Sequence, residues 1–236
     1  MTEILRVEDI HAGYNGKQVL KGLSFAVRDG DVLAVIGPNG SGKTTLLRAM
    51  LGMLPLGAGK VTLFGKERLR GKDKEALISY IPQRMELDRT FPISLGEMLG
   101  LNKRGAEMDK YIDMLELGGL LSKKVGDLSG GQMQRALLAY AVMKGPKLLI
   151  MDEPTSWIDQ KGADCILCII EEFKKKGIAM IIVSHDLSVL RSVATHVLGL
   201  GHEGYFFEPA DSPLMSEKLA SLFGTLHHGE RLVCPI

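Results

Sequence analysis

The sequence predicts an α/β fold in which a mainly parallel sheet is flanked by helices, with an antiparallel β part at the N-terminus and an inserted helical stretch. Three observations carry that prediction. The segments Val32–Ile36, Lys147–Asp152 and Ile178–Ser184 are apolar through their centres, as strands covered on both faces must be. Helical patterns at about 131–144 and 160–176 precede the last two, and strands alternating with helices build a parallel sheet. Ahead of Val32 the chain instead reads as strand, turn and strand, with no helix between.

Taken in order, Leu5–Ile10 partly alternates and predicts a strand, and Gln18–Val27 predicts its partner. Between them Gly13-Tyr14-Asn15-Gly16 carries the residues that a hairpin turn requires. Val32–Ile36 stops at a glycine-rich loop, and Thr44–Met50 continues it as a helix. Lys60–Phe64 and Leu77–Ile81 predict further strands. From Leu95 to Leu121 the pattern is of short helices without a clear strand, so the stretch near 84–127 forms a helical part beside the sheet.

Composition removes several functions. The chain has 236 residues, with 29 Lys and Arg against 28 Asp and Glu, a net charge of +1. That balance argues against a protein that binds nucleic acid by neutralising many phosphates, and it leaves no acidic or basic tail. Three cysteines suit a reducing compartment better than a disulfide framework. No apolar run approaches the roughly 18 residues needed to cross a bilayer. The start, MTEILRVEDI, carries acids where a signal peptide has a basic flank. These features lead to the expectation of a soluble, intracellular protein.

Gly37-Pro38-Asn39-Gly40-Ser41-Gly42-Lys43-Thr44 satisfies G-x-x-x-x-G-K-[ST] between a predicted strand and a predicted helix, the context that the motif requires. The glycines let backbone N–H groups turn inward around a phosphate, and the helix N-terminus adds partial positive charge. Thr45 continues the loop into the helix. Lys43 can reach the outer phosphates, and the Thr44 hydroxyl can ligate Mg²⁺. A second chemical signal lies at Lys147–Glu153, an apolar strand ending in Asp152 and Glu153. On a buried strand charge belongs at the C-terminal end, where ligands bind in open α/β sheets. Asp152 is placed to hold Mg²⁺ and its water shell, and Glu153 to polarise a water for attack on a γ-phosphate.

Leu128-Ser129-Gly130-Gly131-Gln132 adds a motif that general phosphate-loop enzymes lack; a hydroxyl and free N–H groups at a helix start form an anion site. With the two motifs above, the chain resembles the ATP-binding subunits of ABC transporters from about Leu5 to Gly224, with the motifs in the family's order. The resemblance implies one ABC-type ATPase domain over 1–236: a P-loop NTPase core at 1–83 and 146–236, and a helical subdomain carrying the signature motif at 84–145. It implies ATP and Mg²⁺ as cofactors. Implied partners are integral membrane permease subunits and a second copy in a head-to-tail dimer that sandwiches two ATP, with no nucleic acid. The location implied is cytoplasmic, peripheral on the inner face of the cell membrane.

Residue by residue, the resemblance assigns Tyr14 to stacking on adenine. It assigns Gln83 to Mg²⁺ and the attacking water, and His185 to the γ-phosphate. Ser129, Gly130, Gly131 and Gln132 complete the partner's site, and Asp159 lies in the loop that crosses to it. The metal set is Thr44, Gln83 and Asp152, and the catalytic set is Glu153, His185 and Gln83. Trp157 and Ile158 stand where the family has a small residue and a leucine. The stretch between Gln83 and Leu128 is short for the family, which implies a trimmed contact surface for the membrane partner.

Phe91-Pro92 ahead of Ile93-Ser94-Leu95, the segment His185–Leu190 and the pair His227-His228 are similar to ATPases of zinc, manganese and iron uptake systems. Importers of siderophore or cobalamin, and exporters, stay open as alternatives. His227, His228 and Cys234 read either as metal ligands or as a solvated tail. Cys165 and Cys168 form C-x-x-C, but Ile166, Leu167, Ile169 and Ile170 around them predict a core helix with the cysteines buried as small apolar residues. A soluble ABC ATPase acting on ribosomes or DNA usually has two ATPase halves or a long arm, and this chain shows neither. A GTPase lacks support because Asn102-Lys103-Arg104-Gly105 misses the final acid of a guanine reader. A non-catalytic nucleotide sensor would not need Glu153 and His185.

Overall fold

The N-terminal hairpin is longer than its periodicity indicates. Strands β1 (Glu3–Tyr14) and β2 (Lys17–Arg28) pair antiparallel, and register shifts along β1 break the alternation of its burial. Tyr14 pairs with Lys17, so Gly13 and Tyr14 belong to the strand and only Asn15-Gly16 makes the turn. Both turn residues have positive φ, 50° and 77°, the geometry that a two-residue hairpin needs to match strand twist. Strand β4 (Ala58–Leu63) adds to the other side of β1 and completes a three-stranded antiparallel sheet. The computed structural model that shows this describes residues 2–67, 76–83, 92–100, 106–156, 160–184, 193–201 and 204–223. Trp157, Ile158, Asp159, His185, His227, His228 and Cys234 lie outside the described residues.

The second sheet has six strands in the order β5-β6-β7-β3-β8-β9, formed by β3 (Val32–Ile36), β5 (Ile78–Ile81), β6 (Leu148–Asp152), β7 (Ala179–Val183), β8 (His196–Leu200) and β9 (Tyr205–Pro209). All its pairings are parallel except β8 with β9. Burial explains the unbroken apolar runs. In β6, Leu148 and Ile150 face a core shared with the antiparallel sheet and helix α1 (Lys43–Met50), while Leu149 and Met151 face the helical side. No position in such a strand reaches water, so the first charge waits for its end.

On the helical side lie α2 (Leu95–Met98), α3 (Ala106–Met114), α4 (Gly130–Met143) and α5 (Gln160–Lys175). Glu172 of α5 fastens α3 to the core: its Oε1 accepts from Lys110 Nζ at 2.8 Å and from the Tyr111 hydroxyl at 3.1 Å. The buried stripe of α5 is Ile166, Ile169, Ile170 and Phe173. Cys165 sits half-buried at its margin and Cys168 is exposed, so the expectation of two buried cysteines is corrected. The hydrophobic positions recur at helical spacing, and the cysteines fall beside that spacing.

β8, β9 and the last helix, α6 (Met215–Phe223), have no counterpart among the sequence predictions. Gly199 interrupts the apolar pattern of β8 for a packing reason. A Cβ there would lie 2.2 Å from the Phe206 ring of the neighbouring strand.

Candidate nucleotide site

Strands β5, β6, β7 and β3 run side by side and in the same direction, so the chain leaves all four at one edge of the sheet. β3 delivers the glycine-rich loop there, β6 delivers Asp152 and Glu153, and β5 delivers Gln83, which is exposed two residues past Ile81. Ile81 is the ladder partner of Met151 and Asp152 that of Val183. Ser184 follows, fully buried, with its N–H donating to the Val35 carbonyl at 3.2 Å. Parallel pairing thus gathers onto one edge residues that are more than a hundred positions apart in the chain.

The loop is held from behind. At Gly37, φ is 154° and a Cβ would stand 2.2 Å from the Leu200 carbonyl oxygen, so only glycine lets the loop leave β3 this close to β8. Gly42 caps α1 with φ 105°, and among the described residues no side-chain cap bonds to the helix start. Those first N–H groups and the helix dipole therefore face the loop's concavity without a side-chain competitor. Pro38 is half-buried, and Asn39, Gly40 and Thr44 are exposed. Ser41 and Thr45 are buried under the loop, at 6% and 7% exposure. Lys43 Nζ donates to the carbonyls of Gly37 at 2.7 Å and Pro38 at 3.1 Å, which carries its charge across the mouth of the loop.

Asp152 and Glu153 are each only 8% exposed. Taking a carboxylate this far from water costs several kcal/mol unless charge compensates it. Burial and then the Glu153 carboxylate push Asp152 above the ordinary aspartate range, and Lys43 opposes them. Lys43 is in turn pushed below the usual lysine range by burial, while Glu153 and Asp152 pull it back. The three charges therefore sense one another across the site. Glu153 has φ 51°, a left-handed conformation that is strained for a residue with a side chain. Its N–H donates to the Val183 carbonyl at 2.8 Å, and its Oε2 accepts from the Ser156 hydroxyl at 3.4 Å.

The signature residues form their own set of hydrogen bonds. Ser129 caps α4, and its Oγ accepts from the Gln132 N–H at 3.3 Å. Gln132 Oε1 accepts in return from the Ser129 N–H at 3.1 Å and from Lys123 Nζ at 3.3 Å. Ser129 and Gly130 are exposed, and Gly131 and Gln132 half-exposed. Tyr14 sits at the hairpin tip, 39% exposed, with its hydroxyl accepting from Arg48 Nη1 at 3.2 Å. Asp159 and His185 are the two expected site residues outside the described set. Ser156 and Arg48 are contacts that sequence reasoning did not find. Only the short spacing from Glu153 could have suggested the first, and nothing local suggests the second. Among the described residues, no cluster of three or more His, Cys, Asp or Glu forms a metal cage, and no helix is long and apolar enough to cross a membrane.

The donor set fits a nucleotide and a hard cation. The Thr44 hydroxyl and Asp152 carboxylate are oxygen ligands of the kind that Mg²⁺ takes alongside substrate phosphates.

Known proteins resemble the chain along most of its length. The ABC transporter family model matches residues 20–156. The zinc import ATP-binding protein ZnuC of Ruegeria pomeroyi is 38% identical over 232 residues, covering 95% of this chain and 85% of that protein. The manganese transport system ATP-binding protein MntB of Bacillus subtilis is 30% identical, covering 93% and 92%. A nucleotide-free ATP-binding cassette from an ABC transporter superposes with a TM-score of 0.76 at 28% identity, over 93% of this chain and 96% of that one. On its phosphate loop, its buried acidic strand end, its capped signature helix and these matches, the chain belongs to the ABC transporter family as an ATP-binding subunit.

Proposed function

We propose that this chain hydrolyses ATP to drive a separate membrane permease, and that the cargo is a divalent transition-metal ion, zinc or manganese, moving inward. One observation carries the ATPase reading. A single sheet edge brings together the uncapped start of α1, Lys43 and two carboxylates buried to 8% exposure. The names of relatives 38% and 30% identical support the cargo.

In this reading the N–H groups of Gly40 to Thr45 and the Lys43 ammonium bind the β- and γ-phosphates. Thr44, Asp152 and Gln83 would hold Mg²⁺, which supplies neutralisation of phosphate charge. Glu153 takes a proton from the attacking water. Its strained backbone and its bond from Ser156 fix where that carboxylate stands. His185 contacts the γ-phosphate, and Tyr14 stacks on adenine. Ser129, already an acceptor within its own cap, still has a hydroxyl proton to donate outward. Together with the N–H groups of Gly130 and Gly131, it meets the γ-phosphate held by a second copy, and Asp159 crosses the same seam. Two copies would thus pair head to tail over two ATP, on the cytoplasmic face of the membrane.

The test is transport. The chain is purified with its permease, placed in vesicles and supplied with ATP on the side it occupies. Zinc or manganese is expected to move only with hydrolysable ATP, and not with Glu153→Gln. ATP turnover without flux of either metal removes the cargo reading, and no turnover in the intact complex removes the ATPase reading.

A further inference from the structure

Helix α1 reaches both ends of the proposed nucleotide site. Lys43 and Thr44 stand in its first turn, and Arg48 one turn beyond Thr44. Arg48 Nη1 donates to the Tyr14 hydroxyl at 3.2 Å, joining residues 34 positions apart. The two ends of this contact are anchored by different elements. The Arg48 carbonyl accepts from the N–H groups of Met53 at 2.8 Å and Leu54 at 3.2 Å, and its neighbours Leu47, Ala49 and Met50 are buried. The arginine therefore starts from a fixed point. Tyr14 lies beside a two-residue turn, and among the described residues its hydroxyl makes no other hydrogen bond. A cation donating to a neutral acceptor makes a stronger bond than two neutral groups do. It holds the phenol at its hydroxyl, and Tyr14 keeps 39% of its surface exposed.

We infer that Arg48 is a positioning residue: it holds the Tyr14 ring as a platform for a purine base, so that the helix binding the phosphates also sets the base end of the nucleotide. This rests on Tyr14 as the base-stacking residue. The competing role is direct attraction of phosphate by the guanidinium charge, which acts on any polyphosphate and needs no tyrosine.

Calorimetric titration of the purified chain with ATP and with inorganic tripolyphosphate separates the two roles. Arg48→Ala is expected to weaken ATP binding about fivefold, and tripolyphosphate binding by less than twofold. Tyr14→Phe, which keeps the ring and removes the acceptor, should match that loss. The double variant should lose no more than either single one, because both remove one contact. Arg48→Lys, which can still donate to the phenol, should recover most of the affinity. Equal losses for ATP and tripolyphosphate, or additive losses in the double variant, would assign Arg48 to phosphate attraction and overturn the inference. If Tyr14→Ala weakens ATP binding and Arg48→Ala does not, the inference fails alone and the stacking role stands. If Tyr14→Ala leaves ATP binding unchanged, the stacking role fails and takes the inference with it. Melting curves of each variant without ligand identify any loss that comes from misfolding.

Discussion

Two helices in this chain begin at glycine-rich segments and treat their N-termini in opposite ways. α1 follows Gly42 with no side-chain cap, and beside it crowd the half-buried Lys43 and the buried Asp152 and Glu153. α4 follows Ser129 with a reciprocal capping box, strengthened by Lys123 and open to solvent. The first start is poorly satisfied by its own chain, and its N–H groups and dipole suit an anion that supplies what the protein withholds. The second is stable by itself and offers a few small donors outward. On the function proposed above, the first would seize a polyphosphate and the second would close on a polyphosphate held by another copy.

The largest effect that separates these regions is on chemistry. Glu153→Gln is expected to lower ATP turnover by at least about a hundredfold while ATP still binds, since it removes the proposed general base and keeps the shape. Steady-state turnover beside equilibrium binding measures both. Wild-type turnover in this variant would remove Glu153 from the mechanism.

A second substitution tests whether the two helix starts belong to different half-sites. Lys43→Ala should reduce ATP affinity of the chain by at least about tenfold through loss of a charge-assisted contact. Ser129→Arg should leave that affinity within about twofold, because Ser129 bonds within its own cap and not to the loop. On the head-to-tail pairing proposed above, it should nevertheless abolish ATP-driven dimerisation in the Glu153→Gln background, as read by light scattering. If Ser129→Arg weakens ATP binding as much as Lys43→Ala does, both helix starts serve one site in one chain.

How much of this could be read from the sequence depends on the range of each contact. The phosphate loop is legible because its eight residues act as one local unit between a strand and a helix. Asp152 and Glu153 are legible because a doubly covered strand leaves charge no place except its end. The left-handed backbone of Glu153 has no such signature, since a residue with a side chain gives no sign of a φ of 51°. Tyr14 reads as a turn residue because register shifts in β1 blur the alternation that would have extended the strand. The Arg48 contact is invisible for a different reason: it exists only once the hairpin folds over α1. The cysteines of α5 were readable in principle. Placing Ile166, Ile169, Ile170 and Phe173 on one helical face leaves Cys168 outside it, as the structure shows.

The smallest effect concerns what the crowded end costs when nothing compensates it. Burial and Glu153 hold the Asp152 carboxyl above its ordinary value of about 3.9, so the folded chain binds that proton more tightly than the unfolded chain does. As pH rises from the ordinary value through the raised one, the folded state must give up the tighter proton, and stability falls. Above the raised value that loss is complete. Asp152→Asn removes it and should raise the ligand-free melting temperature by about 2–4 °C, the shift expected of roughly 1 kcal/mol in a chain of this size. The gain should shrink as pH is lowered towards 4, where the native carboxyl also becomes neutral. The same substitution should erase the extra stabilisation that Mg²⁺ adds to ATP, because it removes a proposed metal ligand. An unchanged or lower melting temperature at neutral pH would mean that Lys43 already compensates Asp152. The contrast with the self-satisfied start of α4 would then lose its energetic basis.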